Sequence, residues 1–174
     1  MSRRAALALG SNLGDRTATL RAAVAELAAT SGVELVAVST AYETTPVGGP
    51  HGQPPYLNAV VVVDTDLAPA DLLARAHEVE AAHGRVRAER WGPRTLDVDL
   101  LAVGDVRSAD PALTLPHPRA HERGFVLVPW AEVDPAFVVP GLGTVAELLG
   151  RLGAAGEAGV RARPDLALAA EAGA

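Results

Sequence analysis

The 174-residue sequence contains no cysteine and only two each of Trp, Tyr and Phe. It also contains no lysine: all 15 basic residues are arginines. Without cysteine there are no disulfides, thiolate nucleophiles or zinc-thiolate sites, which fits a reducing compartment. Without lysine, a Walker A loop and Schiff-base chemistry are excluded. Genomic base composition accounts for the excess of Ala, Gly, Val and Arg, and the exclusions hold whatever its cause. Phosphate chemistry here must rest on guanidinium forks, backbone N–H groups and metal ions. A net charge of −6 and the shortage of stacking rings argue against a nucleic-acid surface. No apolar run approaches the roughly 18 residues of a membrane span, and the N-terminus lacks a signal-peptide pattern. The expectation is a cytoplasmic protein with neither a membrane nor a nucleic-acid partner. A hydrophobic content of 49% suits one globular domain with a real core.

What is present is concentrated between Arg90 and Leu101, R-W-G-P-R-T-L-D-V-D-L-L. Side chains alternate along a strand, so Asp97 and Asp99 share one face about 6 to 7 Å apart. Leu96, Val98 and Leu100 take the other face, toward a core. Carboxylates that close raise each other's pKa unless a cation lies between them. Hard ions such as Mg²⁺ accept one or two carboxylates and complete their shells with phosphate oxygens and water. Arg90 and Arg94 would then hold phosphates, the latter aimed by the rigid Gly92-Pro93 turn beside Trp91. An Asp-x-Asp pair alone is as often the solvated face of a half-buried sheet. The flanking residues favour the functional alternative. From Arg85 to Arg94, four arginines (Arg85, Arg87, Arg90, Arg94) stand against one acid, Glu89. Such a cluster can be a solvated Arg/Glu loop, but the local positive field fits a compact polyphosphate better.

Ala5 to Leu9 reads as a buried strand. A glycine-bearing turn, Gly10 to Gly14, leads from it to an Asp15-capped helix carrying Leu20, Val24 and Leu27. That turn can bind phosphate or simply be a tight turn, and the structural alternative is favoured. Glu34 to Tyr42 alternates as one strand. Thr44 to Pro55 is a Gly/Pro-rich loop, and Ala59 to Val63 a strand buried on both faces. Tyr56 and Asn58 share a face at that strand's mouth. An aromatic plate beside an amide can stack a flat heterocycle and read its edge, or can merely cap the core. Pro69 opens a second helix ending at Gly84, with Glu80 close to the arginine segment. His117 stands between prolines and can donate to a phosphate. Zinc is not expected, because the histidine pairs lack a third ligand. Phe125 to Val133 has helical length. Residues 1–152 are expected to form the folded domain and 153–174 a frayed or disordered Ala/Gly-rich tail. The order of elements predicts an α+β, ferredoxin-like βαββαβ sandwich: an antiparallel sheet, helices on one face and additional C-terminal helices.

Seven segments in order resemble the 6-hydroxymethyl-7,8-dihydropterin pyrophosphokinases of folate biosynthesis. They are Ala8 to Gly14, Tyr42 with Thr44-Thr45-Pro46, Tyr56-Leu57-Asn58-Ala59, Gly84-Arg85-Val86-Arg87, Arg90 to Asp99, Pro116-His117-Pro118 and Arg123-Gly124-Phe125. The resemblance implies pyrophosphoryl transfer from ATP to the pterin's hydroxymethyl oxygen, releasing AMP. It implies that Asp97 and Asp99 bind two Mg²⁺ ions, with Arg85 and Arg94 also at the reacting phosphates. Tyr56 and Phe125 would sandwich the pterin, Asn58 would read its edge, and Thr44, Val47 and Trp91 would complete that subsite. Glu80, Arg87, Arg90, His117 and Arg123 would serve ATP. Small-molecule substrates follow from the same likeness, and a monomer is expected. Pro118 and His77 stand where some members carry Tyr and Gln.

Overall fold

Small and large apolar side chains alternate through the first strand (β1, Arg3–Ser11), and Ala5, Ala6, Leu7 and Leu9 are all inaccessible to solvent, so both of its faces are buried. The computed structural model describes residues 2–45, 52–83 and 95–169. After β1 come α1 (Arg16–Ala28), β2 (Val33–Val38), β3 (Ala41–Thr44), β4 (Tyr56–Thr65), α2 (Pro69–Ala82) and β5 (Asp97–Val103). A small hairpin follows, β6 (Ser108–Asp110) with β7 (Leu113–Leu115), and then a 3₁₀ turn, Ala120–Glu122. The chain continues through α3 (Gly124–Val133), β8 (Val138–Val139), β9 (Gly143–Thr144), α4 (Val145–Leu152), α5 (Ala154–Glu157) and β10 (Val160–Arg163).

The main sheet runs β10-β3-β4-β1-β5, with β2 also paired to β4, and every pairing is antiparallel. On one face, Leu7, Leu9, Val61, Val63, Val98 and Leu100 pack against Leu20, Val24 and Leu27 of α1 and Leu72, Ala76 and Val79 of α2. This is the expected ferredoxin-like layer. Burying each such Val or Leu contributes about 1.5–3 kcal/mol. On the other face, Ala6, Val60 and Val62 pack against Val126, Leu127 and Trp130 of α3 and Val145 and Leu148 of α4. A β-bulge lets Leu101 and Ala102 both join this second core, while Val103 returns to the first. Helical capping follows sequence chemistry: the Asp15 carboxylate accepts Ala18 N–H at 3.0 Å, and Pro69 occupies the first turn of α2.

Three expectations are corrected. The alternating run Glu34 to Tyr42 is two strands, interrupted at Ser39 and Thr40. Ser39 exchanges two hydrogen bonds with Val60, and Thr40 donates to Glu132 of α3, so contacts distant in sequence break the strand. Gly10 belongs to β1 and not to the turn after it. The stretch expected to be a loose tail supplies β10 on the edge of β3, and Leu168 is buried in the first core.

Candidate active site

Register brings the acidic and aromatic segments together. Across the sheet, Asp97 of β5 lies opposite Gly10 of β1, Gly10 opposite Asn58 of β4, and Asn58 opposite Tyr42 of β3. In the next row, Asp99 lies opposite Ala8. Directly paired residues share a face, so both aspartates, Gly10 and Asn58 point to the side that carries α3. Two interstrand steps, about 10 Å, separate Asp97 from Asn58. Val98 and Leu100 are buried in the opposite core, as their alternation requires.

Gly10 is a floor rather than a hinge. A Cβ there would come within 3.2 Å of Asn58 Oδ1 and 3.7 Å of the Tyr56 ring, so both side chains lean over the bare glycine. Asn58 Nδ2 donates to Thr44 Oγ1 at 2.6 Å, which orients the amide and leaves its carbonyl oxygen above Gly10. Thr44 is itself buried. Phe125, in the first turn of α3, packs half-buried on this same face with Ala8, and the Arg123 guanidinium lies 5.6 Å from its ring centroid.

On the β5 side a cleft of about 300 Å³ gathers Glu80, Asp99 and His117, together with His77, Thr114 and Pro118. The buried Glu80 carboxylate accepts the Val98 N–H at 3.0 Å and so holds β5 midway between its two aspartates. His117 is fixed at two points: its N–H donates to Leu101 O at 2.8 Å, and its Nδ1 accepts the Arg119 N–H at 3.2 Å. With Nδ1 an acceptor, the neutral ring carries its proton on Nε2. Burial depresses the His117 pKa below its ordinary value; Asp99 opposes this, while Arg123 and Arg119 add to it. Burial likewise lowers the Arg123 pKa, with Arg119 adding to the effect and Asp99 opposing it. His117 and Arg123 therefore both feel the charge of Asp99.

The donor set suits Mg²⁺. Two hard carboxylates share a face, Asp99 is exposed, and the small residues Ala8 and Gly10 stand beside them. Among the described residues no group of three or more His, Cys, Asp or Glu could hold a metal ion. A pair of carboxylates completed by phosphate and water is the usual protein share of a Mg²⁺ shell. Val47, Arg85, Arg87, Arg90, Trp91 and Arg94 lie outside the described residues. Sequence reasoning passed over Gly10 as a floor, and it passed over Arg16 and Glu43, which meet at 3.3 Å on the opposite face of the sheet, Glu43 being the residue before Thr44. Only the register could have exposed Gly10, and the Arg16–Glu43 pair spans 27 residues.

The family model for 7,8-dihydro-6-hydroxymethylpterin-pyrophosphokinase matches residues 6–135. This chain belongs to that family. A 2-amino-4-hydroxy-6-hydroxymethyldihydropteridine pyrophosphokinase of Methylorubrum extorquens is 49% identical over 153 residues, covering 88% of this chain and 96% of that relative. The pyrophosphokinase of the same name from Mycobacterium tuberculosis is 48% identical over 142 residues, covering 76% of this chain and 73% of its own length. The Plasmodium falciparum HPPK-DHPS structure with pteroate superposes with a TM-score of 0.70 at 12% identity, over 90% of this chain. This chain spans only 45% of that longer one, and at this identity the likeness shows the fold alone. Both aspartates, the Gly10 floor and His117 fall within the matched residues.

Proposed function

We propose that this chain transfers a pyrophosphoryl group from ATP to the hydroxymethyl oxygen of 6-hydroxymethyl-7,8-dihydropterin, releasing AMP, as a step of folate biosynthesis. The observation that carries this is the placement, in a member of this family, of Asp97 and Asp99 on the same sheet face as the Tyr56, Asn58 and Gly10 shelf. A flat bicyclic ring between Tyr56 and Phe125 meets the Asn58 carbonyl with its donor edge, and Thr44 keeps that amide from rotating. Its one-carbon arm then extends along the row toward Asp97. In the cleft, His117 donates from Nε2 to the nucleotide's phosphates, and Arg123, which feels the charge of Asp99, adds positive charge nearby. The hydroxyl oxygen loses its proton to solvent as it attacks the β-phosphorus, the bond from that phosphorus to the α,β-bridging oxygen breaks, and AMP leaves with the bonding pair.

Asp97 and Asp99 would hold two Mg²⁺ ions. Metal held there would supply charge to neutralise phosphoryl oxygens and would lower the pKa of the incoming hydroxyl. Arg85, Arg87, Arg90 and Arg94 are assigned to the phosphates, Trp91 and Val47 to the pterin, and Glu80 to the nucleotide side, on residue type and family pattern. Most of the catalysis is positioning and charge stabilisation. Among the described residues no helix is long and apolar enough to cross a membrane. A cytoplasmic monomer acting on small molecules is part of the same proposal.

The test is nucleotide identification after incubation with ATP, Mg²⁺ and the reduced pterin. AMP should appear only when the pterin is present, and chelation should abolish it. Asp99→Asn should lower turnover at least about a hundredfold, the scale of losing one preorganised electrostatic contact. Release of ADP, or turnover that survives this substitution, would count against the proposal.

A further inference from the structure

Arg16, the first residue of α1, reaches β3 and the residue that leads into β4 at once. Its Nη1 donates to Glu43 Oε2 at 3.3 Å and to the carbonyl of Pro55 at 2.9 Å. Glu43 precedes Thr44, whose hydroxyl orients Asn58, and Pro55 precedes Tyr56. Thr44 and Tyr56 face each other as the last pair of the β3–β4 ladder, where a ladder is most prone to fray. Nearby, the buried Asn12 donates to Gln53 Oε1 and Pro54 O, both at 3.2 Å, so the corner between β1 and α1 grips residues 53–55 at several points.

The same Glu43 carboxylate also accepts Arg161 at 2.7 Å and Arg163 at 3.1 Å from β10. Three guanidinium groups from the first helix and the last strand thus converge on one acid. The Glu43 side chain is only 17% exposed and that of Arg16 26%, so water competes less for this pair than for an open surface bridge. Burial alone would raise the Glu43 pKa, but hydrogen bonds and charge from Arg16 and Arg161 outweigh it and hold the pKa below the ordinary carboxylate value.

We propose that Arg16 and Glu43 are positioning residues of the pterin subsite: they set the spacing between Thr44 and Tyr56, and hence the pose of Asn58, without touching substrate. The inference rests on the pterin assignment made above. It also gives the C-terminal strand a part in substrate recognition. That strand lies beyond the family-matched residues 6–135 and anchors the acid on which the clamp closes. The cleft beside β5 and the clamp on β3 and β10 lie toward opposite edges of the sheet, and no clamp residue lines the cleft.

The experiment measures pterin affinity without ATP, KM for each substrate and melting temperature. The proteins are the wild type, Arg16→Ala, Arg16→Lys, Glu43→Gln, the double variant Arg16→Ala with Glu43→Gln, and Asn58→Ala. Arg16→Ala and Glu43→Gln should each weaken pterin binding roughly three- to thirtyfold, the size of couplings passed through packed neighbours. KM for ATP should stay within about twofold, since coupling fades for sites without shared partners. Arg16→Lys, which keeps the charge, should recover part of the loss, and combining Arg16→Ala with Glu43→Gln should be no worse than the more damaging single change. The near-isosteric Glu43→Gln keeps the test decisive if Arg16→Ala fails to fold. Unchanged pterin affinity in both variants, or a parallel rise of both KM values with falling melting temperature, would overturn the clamp. If Asn58→Ala also binds pterin normally, the pterin assignment itself is wrong; if Asn58→Ala alone weakens it, only the clamp is rejected.

Discussion

At position 10 a hydrogen atom in place of a methyl group decides how closely Tyr56 and Asn58 approach β1. In Gly10→Ala the new Cβ would stand 3.2 Å from Asn58 Oδ1 and 3.7 Å from the Tyr56 ring, closer to the amide than ordinary packing allows. Overpacking of this kind costs about 1–3 kcal/mol, and here the strain falls on the two side chains that would hold the ring. We expect Gly10→Ala to fold, to lose some stability, and to bind the pterin about tenfold more weakly, the equivalent of about 1.4 kcal/mol. Calorimetric titration with the pterin checks this, and undiminished affinity would mean that the shelf is not the ring's platform. The shared face of Asp97 and Asp99 was legible from strand alternation alone. The floor at Gly10 was not, because a glycine next to Ser-Asn-Leu-Gly looks like turn chemistry until the register places it under Asn58.

Among the elements, α2 and β5 are joined by a single well-placed carboxylate. β5 is the outer strand of the sheet, and Glu80 takes up the Val98 N–H that lies between the two aspartates. Removing that acceptor leaves a buried donor unpaired, which costs about 1–3 kcal/mol. Glu80→Ala is therefore expected to lose stability on that scale and to lower turnover by loosening Asp97 and Asp99, whereas Glu80→Gln keeps an acceptor and should recover most of both. Chemical denaturation with parallel turnover measurements distinguishes the pair. An alanine variant as stable as the wild type would show that this contact holds nothing. The sequence placed Glu80 on the nucleotide side. The observed hydrogen bond gives it a structural task as well, and one that a helix pattern cannot reveal.

For the molecule as a whole, two cores back a single sheet and a cluster of arginines ties its ends together. Glu43 is the acid at that junction, and its folded pKa lies below the ordinary value of 4.5. A lowered carboxylate pKa adds stability that is present above about pH 4.5 and is lost as the pH falls through the folded value. The wild type should therefore exceed Glu43→Gln in stability near neutrality, and the gap should close on acidification below the unfolded pKa. Denaturant titrations of both proteins on either side of pH 4.5 measure it. A gap that does not vary with pH would mean that the arginines do not stabilise the ionised acid.

Local chemistry determined much of this protein from the chain alone: the Asp15 cap, the Pro69 helix start, the buried valine strand and the facing of Asp97 and Asp99. Each depends on neighbours a few residues apart, whose geometry is set by helix and strand periods. Tertiary structure alone decided the break at Ser39, the bulge that turns Leu101 and Ala102 to one face, the ordered C-terminal strand and the meeting of Arg16, Glu43 and Pro55. Those features come from hydrogen bonds and packing between residues tens of positions apart, and such contacts leave no period in the sequence. For the same reason, residue types could point to the chemistry of the site, while its spacing had to come from the sheet.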